Sequence, residues 1–224
     1  MTEPASRGVI EEAQASLEPL SGRTIAVIGY GTMGRAQALN LRDRGLDVVV
    51  GARAGSARGD LAAQEGFPVH PVRDAAAAGQ VVALMLPDEA MAPVWRDQLM
   101  PAVAADAALA FAHGFAVAFR QIDPGPRPCF LVAPKSQGDL LREAVTRGGG
   151  VPSLLAVTEA SPPGTWDLCT AYALAIGGLR GGGWVTTFEA ECVADQFGEQ
   201  AVLCGGMIEL LQAAFETLVD RGYD

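Results

Sequence analysis

Residues Thr24–Gly29 (TIAVIG) form a nearly unbroken apolar, partly β-branched run, the pattern of a buried strand. Apolar and small residues then recur at helical spacing over Met33–Arg44, Ala36, Leu39 and Leu41 among them, and Gly45 ends the helix. Further strand patterns lie at Asp47–Val50, Phe67–His70, Val81–Leu86 (stopped by Pro87), Ala107–Ala112 and Cys129–Ala133. Helical patterns lie between them at Asp60–Glu65, Asp74–Ala78 and Ala90–Leu99, and Gly51–Arg58 reads as a loop. Strands alternating with helices every roughly 15–25 residues predict a parallel sheet covered on both faces. From about Thr165 the pattern changes: Trp166–Ile176 is helical, GGLRGGGWVTT is a glycine-rich break with a short strand-like end, and Glu189–Tyr223 is mostly helical. The expected fold is α/β, Rossmann-like and doubly wound, with a mainly parallel sheet and a short C-terminal helical extension. The expected organisation is an N-terminal extension over residues 1–20, a dinucleotide-binding domain over 21–180 and a truncated helical segment over 181–224.

Composition narrows the class. Half of the 224 residues are apolar and 19% are charged, as in a folded soluble chain. A net charge of −10, with no contiguous basic patch, argues against nucleic acid as a partner. The cysteines (Cys129, Cys169, Cys192, Cys204) show no CxxC pair and read as free thiols. The first twenty residues lack a long apolar run, and no uninterrupted apolar stretch reaches the roughly 20 residues of a membrane span. A cytoplasmic protein without a membrane partner is expected.

Gly29-Tyr30-Gly31-Thr32-Met33-Gly34 has the spacing GxGxxG between a strand and a helix. In such a turn the first glycine allows the tight bend and the second admits the pyrophosphate. The third lets helix pack on strand, and the helix N-terminus donates N–H groups to the phosphates. At the end of the second strand a carboxylate would hold the ribose of NAD. This chain instead has Arg53, Ser56 and Arg58, and no carboxylate before Asp60. Those residues favour a 2′-phosphate, hence NADPH.

Longer phrases resemble ketol-acid reductoisomerases. They are Ile28–Arg53 (IGYGTMGRAQALNLRDRGLDVVVGAR), Leu86–Glu89 (LPDE), Ala110–Phe115 (AFAHGF), Val132–Lys135 (VAPK), Gly148–Val157, Ala171–Gly178 and Thr186–Gly206, which contains DQFGEQAVLCGG. The resemblance covers nearly the whole of Thr24–Tyr223. It implies that Leu86, Pro87, His113 and Gly114 join the glycine turn in holding the cofactor. It implies catalytic roles for His113, Lys135 and Glu199, and Mg²⁺ held by Asp195 and Glu199. Read from spacing alone, that i,i+4 carboxylate pair is a solvated helix face; within FGEQ it offers the hard oxygen donors Mg²⁺ takes. His70 has no such support and reads as a surface residue.

Three departures from the family qualify this expectation. Met33 stands where the family has glutamine, and Arg35 and Gln37 stand near its histidines. Ser136-Gln137-Gly138-Asp139 replaces Gly-Pro-Gly-His and is expected near the substrate or nicotinamide. The family's long helical domain past the position of Tyr223, with its further metal ligands, has no counterpart in these residues. The expected function is therefore NADPH-dependent reduction of a small ketone, 2-keto acid or imine without alkyl migration, in a homodimer whose helices pair. Full reductoisomerase activity completed by a partner chain, or non-redox binding of a nucleotide-bearing metabolite, are the alternatives.

Overall fold

A computed structural model of the chain describes residues 8–223. The first seven residues of the expected N-terminal extension lie outside the described residues. The strands are β1 (Val9–Ile10), β2 (Thr24–Ile28), β3 (Asp47–Ala52), β4 (Val69–Pro71), β5 (Val81–Leu84), β6 (Ala108–Phe111), β7 (Cys129–Pro134), β8 (Ser153–Val157) and β9 (Gly183–Val185). The helices are α1 (Thr32–Asp43), α2 (Ala57–Gln64), α3 (Val72–Ala78), α4 (Asp88–Val94), the single turn α5 (Phe115–Ala118), α6 (Gly138–Thr146), α7 (Thr165–Ile176), α8 (Phe188–Phe197) and α9 (Gly206–Asp220).

All nine strands form one sheet in the order β1-β9-β8-β7-β6-β5-β2-β3-β4. From β4 through β7 every pairing is parallel. The chain order reverses between β2 and β5, which opens a crevice at the carboxyl ends of those two strands. A doubly wound sheet binds ligands there.

Alternation along β2 explains the two buried layers. Ile25 and Val27 pack with α1 and α7 residues on one face, Ala26 and Ile28 with α3 and α8 residues on the other. Both sides are buried, so the strand sequence is continuously apolar rather than alternating. The fold is the expected Rossmann-like, doubly wound α/β architecture with a C-terminal helical extension.

Helix α6 and strand β8, like the short β1 and α5, stand where the apolar pattern alone predicts none. Helix α6 and strand β8 follow β7, and β8 pairs antiparallel with β7 while β9 pairs parallel with β8. The GGLRGGGWVTT break contributes β9 to the sheet, and β1 adds an antiparallel edge to it. The α8 helix, a π-helical turn at Gly198–Leu203 and α9 form a continuous helical run, Phe188–Asp220. Its most apolar 18-residue window has a mean hydropathy of 1.5 and is not buried. By length and composition this run could cross a membrane, although no uninterrupted apolar stretch in it does; Asp195, Glu199, Glu209 and Glu216 break it. Leu210, Leu211, Phe215 and Leu218 on it are exposed.

Candidate active site

The glycine turn joins β2 to α1. Gly29 has φ +97°, and an added Cβ would stand 2.5 Å from the Met85 carbonyl oxygen. A Cβ on Gly34 would stand 2.2 Å from the Gly29 carbonyl oxygen. Strand and helix therefore approach more closely than any side chain permits. The turn is braced from behind. The Tyr30 hydroxyl donates to Glu65 Oε2 at 2.7 Å, and Arg35 pairs with the same carboxylate. Buried Gln37 accepts from the Tyr172 hydroxyl at 2.7 Å. The departures at positions 35 and 37 are thus absorbed by scaffold contacts. Gly138 packs against the backbone of Thr32 and Met33, so part of the altered 136–139 segment lies behind the phosphate turn.

A cleft of about 640 Å³ runs along the switch point. Residues 29–34 line it, together with Arg53, Ser56, Arg58, Leu86, Pro87, Asp88 and His113. Arg53 and Arg58 are exposed at the start of α2, and the Ser56 side chain caps that helix by accepting from Gly59 N–H at 3.2 Å. Gly114 is placed differently from the other cofactor candidates. It is buried beside the cleft, and its N–H donates to Glu191 Oε2 at 2.7 Å.

Beyond the cleft the site residues converge on Glu191, a carboxylate with a 1% exposed side chain that sequence reasoning did not single out. Lys135 Nζ donates to Glu191 Oε1 at 2.7 Å and to Asp195 Oδ1 at 2.8 Å. His113 Nδ1 lies 3.1 Å from Glu191 Oε2 and 3.5 Å from Asp195 Oδ2. Its Nε2 faces Asp88 Oδ2 at 3.9 Å and Gln196 at 3.4 Å. The spacing held a signal for Glu191: Glu191, Asp195 and Glu199 follow one another at i,i+4, so the pair read from FGEQ extends one turn toward the sheet.

The charges stabilise one another. The Glu191 contact is the main cause of a raised His113 pKa, against the opposing effect of burial. Burial pushes Glu191 up, but the bonds from His113, Lys135 and Gly114 outweigh it and hold the carboxyl below its ordinary value. Burial pushes Lys135 down, and its two carboxylate partners reverse that, so the ammonium persists at neutral pH. Asp88 is raised, chiefly by burial, with the His113 cation opposing.

His113, Glu191 and Asp195 have ligand atoms within 4.8 Å of one another. The ammonium of Lys135 already bridges the two carboxylates of that trio, so it is a poor seat for a second cation. Of the pair expected to hold Mg²⁺, Asp195 is partly buried against Lys135, and Glu199 is exposed in the π-helical turn after α8, outside the cluster. Carboxylate oxygens are the donor type that a Mg²⁺ keeping several waters takes. His70 is exposed and far from this cluster in sequence and in the sheet order, on β4.

Residues 19–182 match the family profile of the acetohydroxy acid isomeroreductase NADPH-binding domain, and residues 188–224 that of the ketol-acid reductoisomerase C-terminal domain. An NADH-preferring ketol-acid reductoisomerase from an uncultured archean is 38% identical, with a TM-score of 0.89 over 97% of this chain and 67% of that one. A semialdehyde dehydrogenase NAD-binding protein from Cupriavidus necator, solved with calcium and NAD, is 21% identical at TM-score 0.68, covering 90% and 76%. An imine reductase from Streptomyces aurantiacus is 19% identical at TM-score 0.57, covering 81% and 61%. These last two share the fold.

Proposed function

We propose that this chain, which belongs to the ketol-acid reductoisomerase family, is an NADPH-dependent reductase of a small ketone, 2-keto acid or imine that works without alkyl migration. The observation that carries the reading is the convergence of His113, Lys135, Glu191 and Asp195 at the end of a glycine-turn cleft. The cofactor's nicotinamide supplies the hydride. The glycine turn and the α1 N-terminus receive its pyrophosphate, and Arg53, Ser56 and Arg58 favour the 2′-phosphate of NADP over the bare ribose. The 38% identical relative is described as NADH-preferring, so the preference of this chain is read from its own arginines.

Lys135 has three N–H donors, and two are directed at Glu191 and Asp195. The third is available to orient a substrate oxygen. His113, whose Nδ1 faces Glu191 and whose pKa that contact raises, is the proton donor to the oxygen or nitrogen that gains charge on reduction. Asp195 and Glu199 would hold Mg²⁺, which supplies Lewis-acid polarisation of a carbonyl. The exposed apolar side chains of α9 suit a second copy of the chain, giving a homodimer.

NADPH oxidation at 340 nm tests the reading, with Mg²⁺ and a panel of 2-keto acids, ketones and imines, and 2-acetolactate as a separate arm. Turnover on the panel and none on acetolactate is expected. Robust product from acetolactate overturns the absence of migration. Tight NADPH binding with no turnover on any substrate would make the chain a nucleotide-binding protein instead.

A further inference from the structure

We propose that Glu65 is a positioning residue for cofactor choice, tying the carboxyl end of α2 to the glycine turn so that residues at the amino end of α2 meet the 2′-phosphate. The proposal rests on the NADPH reading above, in which Arg53, Ser56 and Arg58 receive that phosphate, and deepens it. Tyr30 stands inside the turn, and its buried ring meets Phe67 edge-on with centroids 5.8 Å apart. Its hydroxyl donates to Glu65 Oε2 at 2.7 Å. Arg35, in the first turn of α1, reaches the same carboxylate with Nε 3.0 Å from each oxygen and with Nη2 on Oε1. Arg42 donates Nη1 to the Glu65 main-chain carbonyl, and its guanidinium lies over the Phe67 ring at 4.6 Å.

The two ends of α2 thus do different things. Ser56 opens the helix beside the cleft, and Glu65 closes it against α1. The helix between them, Ala57–Gln64, rises by only about 12 Å, so a tilt at one end displaces the other. Within it only Gly59 and Ala62 are buried, which leaves little apolar surface to hold its angle on the sheet. The anchor at Glu65 supplies what that face lacks. Its carboxylate accepts from a buried hydroxyl and from a guanidinium fork, and its side chain is 21% exposed, so it is better defined than an ordinary surface ion pair. Arg35 is one of the departures from the family phrase, so the fork is this chain's own. Glu65 stays outside the cleft lining and acts through α2 rather than by touching the cofactor.

Fluorescence titration with NADPH and with NADH tests this in wild type, Glu65→Ala, Glu65→Gln and Arg35→Met, each also melted by circular dichroism. The proposal expects Glu65→Ala to raise the NADPH Kd by about fivefold and to leave the NADH Kd within about twofold. Arg35→Met should weaken NADPH alone as well. Glu65→Gln, which keeps an acceptor for the Tyr30 hydroxyl, should recover part of the loss. In an Arg53→Ala, Arg58→Ala background, Glu65→Ala should add less than about twofold, because its effect passes through those arginines. A merely structural glutamate would lower the melting temperature without moving the ratio of the two Kd values. Equal loss for both cofactors, tighter binding of both, no change, or full additivity in the arginine background overturns the proposal. If the double arginine variant itself leaves the NADPH Kd unchanged, the 2′-phosphate reading fails and the proposal falls with it. If that variant weakens NADPH and Glu65→Ala does not, the proposal alone fails. Should Glu65→Ala not fold, Arg35→Met decides by the same comparison.

Discussion

Replacing Glu191 by glutamine keeps the side-chain shape and removes the charge on which the site converges. Three donors reach that carboxylate: Lys135 Nζ and Gly114 N at 2.7 Å, and His113 Nδ1 at 3.1 Å. A glutamine can accept from some of them, but its NH₂ group must then face one of the others. Hydrogen bonds to a charged group contribute about 1.5–3 kcal/mol each. The Lys135 side chain is 32% exposed and keeps Asp195 and water as partners, so its share is discounted. The expected net loss is about 3 kcal/mol, mostly from the buried side of the carboxylate. With about 2–4 °C per kcal/mol in a chain of this size, the melting temperature should fall by about 6–12 °C. Calorimetry from pH 4 to 9 adds a second readout. The folded pKa of Glu191 is depressed, so its contribution is present above the ordinary carboxylate value and is lost as pH falls through the folded value. The folded pKa of His113 is raised, so its contribution is complete below its ordinary value and is lost as pH rises through the folded one. The gap between wild type and Glu191→Gln should therefore be widest near pH 5–6, by about the 3 kcal/mol above, and narrow towards acid. A melting temperature within about 2 °C of wild type at all pH values would refute the reasoning.

Gly34→Ala should weaken NADPH binding and lower stability. Its Cβ would meet the Gly29 carbonyl at 2.2 Å, and overpacking of about 1–3 kcal/mol outweighs the roughly 1 kcal/mol gained in helix propensity. Equilibrium unfolding and fluorescence titration check both effects. Arg53→Ala with Arg58→Ala should raise the Kd for NADPH by about tenfold, a loss near 1.4 kcal/mol, and leave NADH within about twofold. Equal losses for both cofactors would mean that neither arginine meets the 2′-phosphate. Leu211→Glu with Phe215→Glu should convert a dimer to a monomer in light-scattering chromatography, since both side chains lie exposed on α9. An unchanged mass would place the dimer contact elsewhere or exclude it.

The doubly wound core was legible because its strands are buried on both faces. β2, β3, β5 and β6 are short apolar runs closed by glycine, proline or polar residues, and such runs have few other readings. The glycine turn was legible for the same reason, since spacing and flanking elements agreed. The far edge of the sheet was not. β8 pairs antiparallel with β7 after an intervening helix, a reversal that the local pattern of SLLAV does not encode. Within the site, His113 and Lys135 were found through the family phrases, whereas Glu191 lies seventy-eight residues beyond His113 and meets it only through packing of α8 on the sheet. Its position one turn before Asp195 was the available signal. Asp88 lay inside a quoted phrase, but nothing in LPDE tells which acid turns inward. That choice is made by the register of β5 on β6 and the start of α4.

A structure with NADPH bound tests the central claim most directly. The account predicts pyrophosphate on the Gly29–Gly34 turn, the 2′-phosphate beside Arg53, Ser56 and Arg58, and the nicotinamide against the His113–Lys135–Glu191 cluster. A nicotinamide directed away from that cluster, or a dinucleotide bound outside the β2–β5 crevice, would contradict it.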